Sequence, residues 1–406
     1  MHPKELSIHD FSYLLPEEKI ARFPLEKRDA SKLLLFQNGQ ISDDVFSNLP
    51  KHLNENDLVV FNQTRVVQAR LIFHTATGAS IEVFCLEPLH GIAIPEAMLQ
   101  KGQADWLCLV GRVKKWKPDT ELTLSLGSDT NDMLHVSLIE RLSDGFAIRF
   151  SWNNTDKCFA DVLDQAGFLP LPPYLKREAV LDDKQRYQTV YAIDKGSVAA
   201  PTAGLHFTEE VLRALKEKNI DSAYLTLHVG AGTFKPVKAD RMAEHEMHSE
   251  EVIASLALVE KVAHCKGRIV AVGTTSMRTL ESLYWTAVRL MKSASNELAI
   301  HVDQWEPYSY ESSVLPSRQE AFSFLEKQLK DSNSTQLSGE TQIIIAPGYD
   351  IKVVDALVTN FHQPNSTLLL LVSACIGEKW RAVYSHALEN NYRFLSYGDS
   401  SLLFIK

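Results

Sequence analysis

The chain has 406 residues, of which 45% are hydrophobic and 23% are charged, a balance typical of a globular protein rather than a disordered one. This length exceeds what one ordinary hydrophobic core supports, so we expect two domains, or one domain with a large insertion. The formal net charge of -9 excludes a diffuse attraction to nucleic acid or to anionic membrane, so any nucleic-acid contact requires a local basic patch.

The cysteines and the most apolar stretches bear on the cell compartment. Five cysteines are scattered along the chain without a C-x-x-C pair, which argues against a disulfide framework and against a cysteine zinc site. The N-terminal stretch MHPKELSIHDFSYLLPEEK lacks the apolar core of a signal peptide, and the longest apolar run, LLLLVSACI from Leu368, is too short to span a bilayer. We therefore expect a soluble protein of the cytoplasm, with no membrane partner.

The first part of the chain is rich in predicted strands. Two short strands, SKLLLF and DLVVFN, are followed from about Val66 to Phe150 by six β-rich runs with hardly any helical periodicity. The runs are VVQARLIFH, SIEVFCLE, ADWLCLVG, TELTLSL, LHVSLIER and GFAIRFSW. Six short strands at this spacing predict a small antiparallel β-barrel or sandwich.

Beyond Asp156, predicted helices and strands alternate. One helix begins at Thr208, whose hydroxyl is suited to cap it, and another is predicted over 251–265. Further helices are predicted in SMRTLESLYWTAVRLMK, SRQEAFSFLEKQLK and EKWRAVYSHALENN, and strands in DSAYLTLHVG, GRIVAVGTT, TQIIIAPGY and ALVTNF. This alternation predicts a layered α/β domain with a mostly parallel sheet.

The order of these patterns predicts an insertion. Because DLVVFN resembles the strands that follow residue 220, the β-rich block is expected to interrupt the α/β domain rather than to precede it. We predict a discontinuous α/β catalytic domain, residues 1–65 and 155–406, and an inserted β-barrel-like domain, residues 66–154. The stretch 293–340 is predicted to be a polar excursion that carries one helix.

Four predicted turns carry hydroxyl, amide and imidazole groups. In open α/β sheets ligands bind beyond the carboxyl ends of the strands, so we expect these turns to share a pocket. Each turn singly is also explained by helix capping, and His206 by a hydrogen bond to a neighbour. The turns contain Thr202, Gly204 and His206; His228, Gly230 and Gly232; Thr274, Thr275, Ser276 and Arg278; and Asn360 and His362.

Other motifs are weaker. The segment EHEMHSE places His245 and His248 three residues apart, but no third metal ligand follows at a telling spacing and H-E-x-x-H is absent. The dinucleotide fingerprint, the Walker A loop and the G-x-S-x-G elbow are also absent. The string GRVKKWKP is typical either of a patch that grips phosphates, with Trp116 stacking on a base, or of a solvated hairpin tip.

Together, several segments resemble one family, the S-adenosylmethionine:tRNA ribosyltransferase-isomerases of queuosine biosynthesis. They span nearly the whole chain in order: LPEEKIARFPLEKRDASKLL, NQTRVVQARL, LPLPPYLKR, RYQTVYAIDKGSVAAPTAGLHFTEE, LHVGAGTFKPV, HEMHSE, VGTTSMRTLES, PGYDIKVVDALVTNFHQPNSTLLLLVSA and YRFLSYGDSSLL. Two stretches depart from the family pattern, GRVKKWKP and the long region 293–340.

The resemblance implies a reaction. The ribosyl part of S-adenosylmethionine is moved onto 7-aminomethyl-7-deazaguanine at the wobble position of a tRNA with a GUN-type anticodon, and is isomerised to give epoxyqueuosine-tRNA. Adenine and methionine leave. S-adenosylmethionine is thus a co-substrate and no cofactor or metal is implied, and the family is usually treated as monomeric and cytoplasmic.

Residue roles follow from this chemistry. The sulfonium acidifies the ribose C5′ hydrogens, so a neutral imidazole is a suitable base, and His206, His228 and His362 are the catalytic candidates. We place His206 first because the small residues of its loop admit a ligand. Helix-start amides at Thr274 to Ser276, with Arg278, are suited to the methionine carboxylate. The remaining predicted substrate-binding residues are Thr202, Gly204, Gly230, Gly232 and Asn360.

Binding of tRNA requires local positive charge on an acidic protein. The candidates for contacts with phosphate are Arg65, Lys114, Lys115, Lys117, Lys176 and Arg177. Two other classes of function stay open from the residues alone: a non-catalytic RNA-binding protein that uses the barrel, and a metal-dependent hydrolase that uses His245 and His248.

Overall fold

In the computed structural model, residues 2–117, 119–127, 132–230, 237, 239–292, 297–310 and 314–405 are described. The predicted site residue Gly232 lies outside these ranges. The helices are α1 (Ile94–Met98), α2 (Phe159–Ala166), α3 (Asp183–Arg186), α4 (Glu209–Glu217), α5 (Leu256–His264), α6 (Gly273–Lys292), α7 (Arg318–Asp331), α8 (Thr367–Ile376) and α9 (Trp380–Glu389).

The strands form three sheets. In chain order they are β1 (Lys32–Gln37), β2 (Gln40–Val45), β3 (Leu58–Asn62), β4 (Thr64–Val66), β5 (Arg70–His74), β6 (Ser80–Pro88), β7 (Gln103–Gly111), β8 (Leu122–Ser125), β9 (Met133–Arg141), β10 (Phe146–Trp152), β11 (Asp194–Ser197), β12 (Asp221–Leu227), β13 (Glu250–Ser255), β14 (Ile269–Val272), β15 (Ile300–Val302), β16 (Gln336–Thr341), β17 (Ala356–Asn360) and β18 (Ser400–Phe404).

The largest sheet has ten strands in the order β15-β16-β13-β12-β3-β14-β17-β18-β1-β2. Its centre, β12-β3-β14-β17, is parallel throughout, and antiparallel neighbours occur on both sides of this centre. The central strand β3 is buried on both faces: Leu58 and Val60 join one hydrophobic cluster, whereas Val59 and Phe61 join the other. Coverage by helices on both faces explains these continuous apolar runs, and the predicted α/β fold is confirmed.

The second sheet contains the six strands predicted between Val66 and Phe150. Its order is β5-β6-β7-β10-β9-β8, every neighbouring pair is antiparallel, and the edge strands β5 and β8 approach each other, so the sheet is a nearly closed barrel. It has a core of its own, in which Trp106, Phe150 and Trp152 surround Phe159 of α2. Helix α1 was not expected in this block. The domain boundaries stay a prediction.

Two predicted elements were wrong. The helix expected over 251–265 begins only at Leu256, because residues 250–255 alternate in burial as β13 and Ser255 then caps α5. The strand expected in TQIIIAPGY ends at Thr341, and the following residues are irregular. The Thr341 hydroxyl accepts a hydrogen bond from the Ile343 N–H (3.1 Å), which draws the backbone out of the ladder.

Helix α6 carries a fully buried carboxylate, that of Glu281. One oxygen accepts from the Tyr349 hydroxyl (2.8 Å) and the Lys352 N–H (3.0 Å). The other accepts from the backbone N–H groups of Val353 (2.9 Å) and Val354 (3.2 Å). Glu281 therefore fixes the loop that leads into β17.

Within the described residues, no helix is both long and apolar enough to cross a bilayer.

We expect Glu281→Gln to lower the free energy of unfolding by roughly 3 kcal/mol, because an amide NH₂ would face two donors that the carboxylate satisfies. Urea denaturation measures this loss. The matched control is Glu378→Gln on an exposed side chain of the same type. A loss below about 1 kcal/mol would show that the loop is held by packing rather than by the carboxylate.

Candidate active site

The four predicted turns converge on one cavity of ≈ 190 Å³. It lies beyond the carboxyl ends of β12, β14 and β17, because parallel neighbours end at the same edge of a sheet. The predicted residues that line it are Thr202, Gly230, Thr274, Thr275, Arg278, Asn360 and His362. The polar turns that were predicted to share a pocket therefore line one cavity, and its role as the substrate site stays a prediction.

Two helices begin at this cavity. Helix α6 starts at Gly273, whose φ of +88° suits glycine at the tight junction with β14, and Gly273, Thr274 and Thr275 all line the cavity. Helix α8 starts behind Ser366, which accepts from the Leu369 N–H (3.3 Å) and lines the cavity as well. The free N–H groups and the partial positive charge of the two helix starts favour a ligand with a negative group.

Four residues that line the cavity have a buried polar atom without a hydrogen-bond partner among the described residues. These atoms are Thr275 Oγ1, Arg278 Nη2, Asn360 Oδ1 and Asn365 Oδ1. Leaving a buried polar group unpaired costs about 1–3 kcal/mol, so native proteins rarely carry several together without a ligand. The cavity is thus built for a polar ligand that both donates and accepts hydrogen bonds.

Arg278 is the one cation of this group. Its Nη1 is paired with Glu250, its Nε donates to the Ile343 carbonyl (3.2 Å), and its Nη2 is left for a further acceptor. Arg278 and Glu250 are both buried. Because Glu250 balances the charge of the guanidinium, the arginine can remain in the cavity wall in the absence of ligand.

His362 is the candidate histidine that lines the cavity. Its Nε2 is 2.9 Å from the Thr359 hydroxyl, and its backbone is fixed by the Tyr384 hydroxyl, which accepts from the His362 N–H at 3.0 Å. Burial lowers the pKa of the imidazole to about 4. The ring is therefore neutral at physiological pH and able to accept a proton.

His206, the first candidate for the catalytic base, does not line the cavity. Its Nδ1 is 2.8 Å from the Ser31 hydroxyl and its Nε2 is 3.1 Å from the amide nitrogen of Asn360, so both ring nitrogens are engaged. Burial, and secondarily the charges of Arg393 and Arg28, lower the pKa of His206 to about 3. His206 is not among the cavity-lining residues and holds Asn360 in place.

His228 is also behind the cavity wall. Its Nδ1 is 2.9 Å from the Thr64 hydroxyl, and its buried Nε2 has no partner among the described residues. Burial lowers the pKa of His228 to about 4, although Asp194 opposes the shift. A Cβ at Gly196 would lie 2.8 Å from the ring, so the small residue there makes room for this histidine.

Two predicted substrate-binding residues have structural duties in the described fold. The Ser276 hydroxyl donates to the Val272 carbonyl (2.7 Å). A Cβ at Gly204 would lie 2.0 Å from the Tyr191 hydroxyl, so this glycine is required by packing. Neither residue lines the cavity. The small residue Gly204 thus indicated a close contact correctly, but the contact is with Tyr191 and not with a ligand.

Sequence reasoning missed several lining residues. Glu250 lies within HEMHSE and Asn365 within NFHQPNST, but neither residue was predicted to bind substrate, and His248 was considered only as a metal ligand. Among the described residues, no group of three or more His, Cys, Asp and Glu side chains is placed to hold a metal ion. The signal that could have identified these residues is their place in the chain. HEMHSE leads into the start of β13, and NFHQPNST begins at the end of β17.

The predicted basic patch in the barrel is exposed. Lys114, Lys115 and Lys117 are on the surface, and so is Arg65 on β4. Trp116 is only 5% exposed and its Nε1 donates to the Thr120 carbonyl (2.8 Å), which argues against the alternative in which this ring stacks on a base. Its amphipathic ring closes the barrel core, which the flanking lysines concealed in the sequence.

Two further basic candidates differ from each other. Lys176 is exposed and forms a surface ion pair with Glu17 (3.0 Å). Arg177 is largely buried and binds both oxygens of Asp183 (2.7 and 2.8 Å) while it donates to the Arg22 carbonyl. The fold therefore uses the Arg177 guanidinium internally, which argues against its predicted contact with phosphate.

The buried histidines predict an acid-sensitive fold. The pKa values of His206, His228 and His362 lie below the value of about 6.5 expected in the unfolded chain, so the unfolded state binds more protons below pH 6.5. We expect each histidine to reduce the free energy of unfolding by about 1.4 kcal/mol per pH unit from pH 6 toward 4.

Urea denaturation across this range measures the effect. In His228→Gln, the dependence of the free energy of unfolding on pH is expected to weaken by the contribution of about one proton. The control is His74→Gln, at an exposed position. An unchanged slope in the His228 variant would contradict burial of a neutral ring at that position.

Comparison with known proteins identifies the family. The chain matches the family model described as queuosine biosynthesis protein over residues 8–403. It is 40% identical over 402 residues to S-adenosylmethionine:tRNA ribosyltransferase-isomerase of Azoarcus sp. (strain BH72), covering 98% of this chain and 97% of that relative. A crystal structure of S-adenosylmethionine tRNA ribosyltransferase from Thermotoga maritima is 29% identical, covers 97% of this chain and 99% of its own, and has a TM-score of 0.46. The family match and the 40% identity show that this chain belongs to the S-adenosylmethionine:tRNA ribosyltransferase-isomerases of queuosine biosynthesis.

Proposed function

We propose that the protein transfers the ribosyl moiety of S-adenosylmethionine to 7-aminomethyl-7-deazaguanine at the wobble position of tRNA with a GUN-type anticodon and isomerises it. The products are epoxyqueuosine-tRNA, adenine and methionine. The observation that carries this proposal is the cavity beside two helix starts, in which Thr275, Arg278, Asn360 and Asn365 each hold an unpartnered polar atom. S-adenosylmethionine acts as a co-substrate, and neither a cofactor nor a metal is part of the proposal.

The methionine end of S-adenosylmethionine has a negative and a positive group. We assign its carboxylate to Arg278 Nη2 and to the amides at the start of α6, because both are donors at the same wall. The Asn360 and Asn365 side-chain oxygens can only accept, so they suit N–H groups of the ligand. This division of donors and acceptors favours a zwitterionic ligand over a simple anion.

The proton transfer is assigned to His362. A base must remove a C5′ hydrogen next to the sulfonium, which yields an ylide and starts opening of the ribose ring. Of the three candidate histidines, His362 lines the cavity, whereas His206 and His228 stand behind its wall. The low pKa of His362 keeps it neutral, and the imidazolium formed by proton removal can then protonate adenine as it leaves.

Exposed basic side chains are the proposed contacts with the tRNA backbone. Lys114, Lys115 and Lys117 are exposed in the barrel-like block, whereas Lys176 and Arg65 are exposed outside it. A protein with a net charge of -9 needs such a local patch to approach RNA. We further propose that the protein acts as a monomer in the cytoplasm.

Adenine release tests the function. Protein, S-adenosylmethionine and tRNA that carries the precursor base are mixed with and without a chelator, and adenine is quantified by chromatography. We expect one adenine for each modified tRNA, at a rate that the chelator leaves unchanged. Binding of RNA without adenine release would favour a non-catalytic RNA-binding protein. Release that the chelator abolishes would favour a metal-dependent enzyme.

We expect His362→Gln to lower the rate of adenine release by at least about a hundredfold, since a positioned base typically contributes 10²–10⁴-fold. Binding of S-adenosylmethionine, measured by calorimetry, should change little, because glutamine is also polar. The control is His264→Gln at the exposed end of α5. A His362 variant with unchanged turnover would remove this residue from the mechanism.

A further inference from the structure

A second, smaller recess of ≈ 20 Å³ adjoins the cavity. Three arginines line it, Arg28, Arg186 and Arg393, which come from widely separated parts of the chain. His206 and Ser31 line it as well. The proposed reaction does not use these arginines, so their convergence at one small depression requires a separate explanation.

Two of the arginines are held by backbone carbonyls. Arg28 donates to the carbonyls of Gln188 (2.6 Å) and Gln185 (2.6 Å). Arg186 donates to the carbonyls of Glu26 (3.0 Å) and Leu25, and its buried Nε has no partner among the described residues. Carbonyl oxygens orient a guanidinium but leave its positive charge uncompensated.

The third arginine forms one long ion pair. The Arg393 side chain is 3.6 Å from Asp399 and 3.5 Å from the Phe23 carbonyl, and it is about a third exposed. The Asp399 carboxylate accepts instead from the backbone N–H groups of Lys32 (3.0 Å) and Arg393 (2.7 Å). The pKa of Arg28 is lowered by burial and by the nearby charge of Arg186, although Asp182 opposes the shift. The recess therefore concentrates positive charge.

We infer that this recess binds one phosphodiester of the tRNA, that of the nucleotide whose base enters the neighbouring cavity. The inference rests on the proposed function, because it takes tRNA as the substrate. Planar guanidinium groups bind pairs of phosphate oxygens, and a recess of this size admits the oxygens of a phosphodiester but not a base.

The two sites share a wall, which supports this assignment. Ser396 lines both the recess and the cavity. His206, which lines the recess, is hydrogen-bonded through Nε2 to Asn360, which lines the cavity. A phosphate in the recess would thus sit next to the site of its own base, and would fix the backbone while the base reacts. His206 would then act as a positioning residue between the two ligands.

Arg393→Gln tests the inference, because its weak contacts make it the least structural of the three arginines. We expect the KM for tRNA to rise roughly ten- to a hundredfold, the loss typical of a hydrogen bond to a charged group, while the KM for S-adenosylmethionine is unchanged. Arg393→Lys should recover part of the loss. The control is Arg381→Gln, a half-exposed arginine of α9.

A second experiment leaves the protein unaltered. Anticodon stem-loops that carry the precursor base and one uncharged methylphosphonate, placed at each phosphate around the wobble nucleotide, are compared for binding. With wild-type protein, we expect the modification next to the wobble nucleotide to weaken binding most. In Arg393→Gln the same modification should weaken binding less than it does in the wild-type protein, since one of the three guanidinium groups that face the phosphate is gone.

Three outcomes would overturn the inference. One is an unchanged KM for tRNA in Arg393→Gln, another is a rise in the KM for S-adenosylmethionine alone, and the third is a methylphosphonate effect that is additive with the variant. In each case adenine release by the wild-type protein would still support the proposed function. Failure of the wild-type protein to release adenine would instead refute the function on which the inference depends.

Discussion

The parallel pairing of β12, β3, β14 and β17 determines where chemistry can occur in this protein. Parallel strands end at one edge, so the segments that leave β12, β14 and β17 meet there without any special contact between them. The Asn62 side chain at the end of β3 secures this edge, as it donates to the Leu227 carbonyl (3.0 Å) and accepts from the Leu227 N–H (3.1 Å). The cavity is a consequence of this pairing.

The electrostatics of the site follow from burial at that edge. Glu250 and Arg278 neutralise each other in the wall, and the starts of α6 and α8 add partial positive charge. Desolvation holds the buried imidazoles neutral instead of cationic. A neutral imidazole does not repel a positively charged group, whereas an imidazolium would. Further positive charge lies outside this wall, on surface lysines and around the recess.

The histidines show how one hydrogen-bond chain links two surfaces. Ser31, His206 and Asn360 connect the arginine-lined recess with the cavity through contacts of 2.8 and 3.1 Å. An amide N–H that donates to His206 Nε2 fixes the tautomer with the proton on Nδ1. That arrangement turns the Asn360 oxygen away from His206 and leaves it unpartnered at the cavity. His206 therefore selects one orientation of the Asn360 side chain, although His206 itself does not line the cavity.

The amino-acid sequence by itself determined the fold class, the six strands of the barrel and the four polar turns, because these depend on periodicity and on residues next to one another in the chain. It also determined that Thr208 caps α4, a contact within one helical turn. Only the tertiary structure decided that His362 lines the cavity while His206 and His228 stand behind it, and that Trp116 is buried. The convergence of Arg28, Arg186 and Arg393 likewise could not be predicted from the sequence. Burial and hydrogen-bond partners at such positions are set by residues distant in the chain, and no local pattern encodes them.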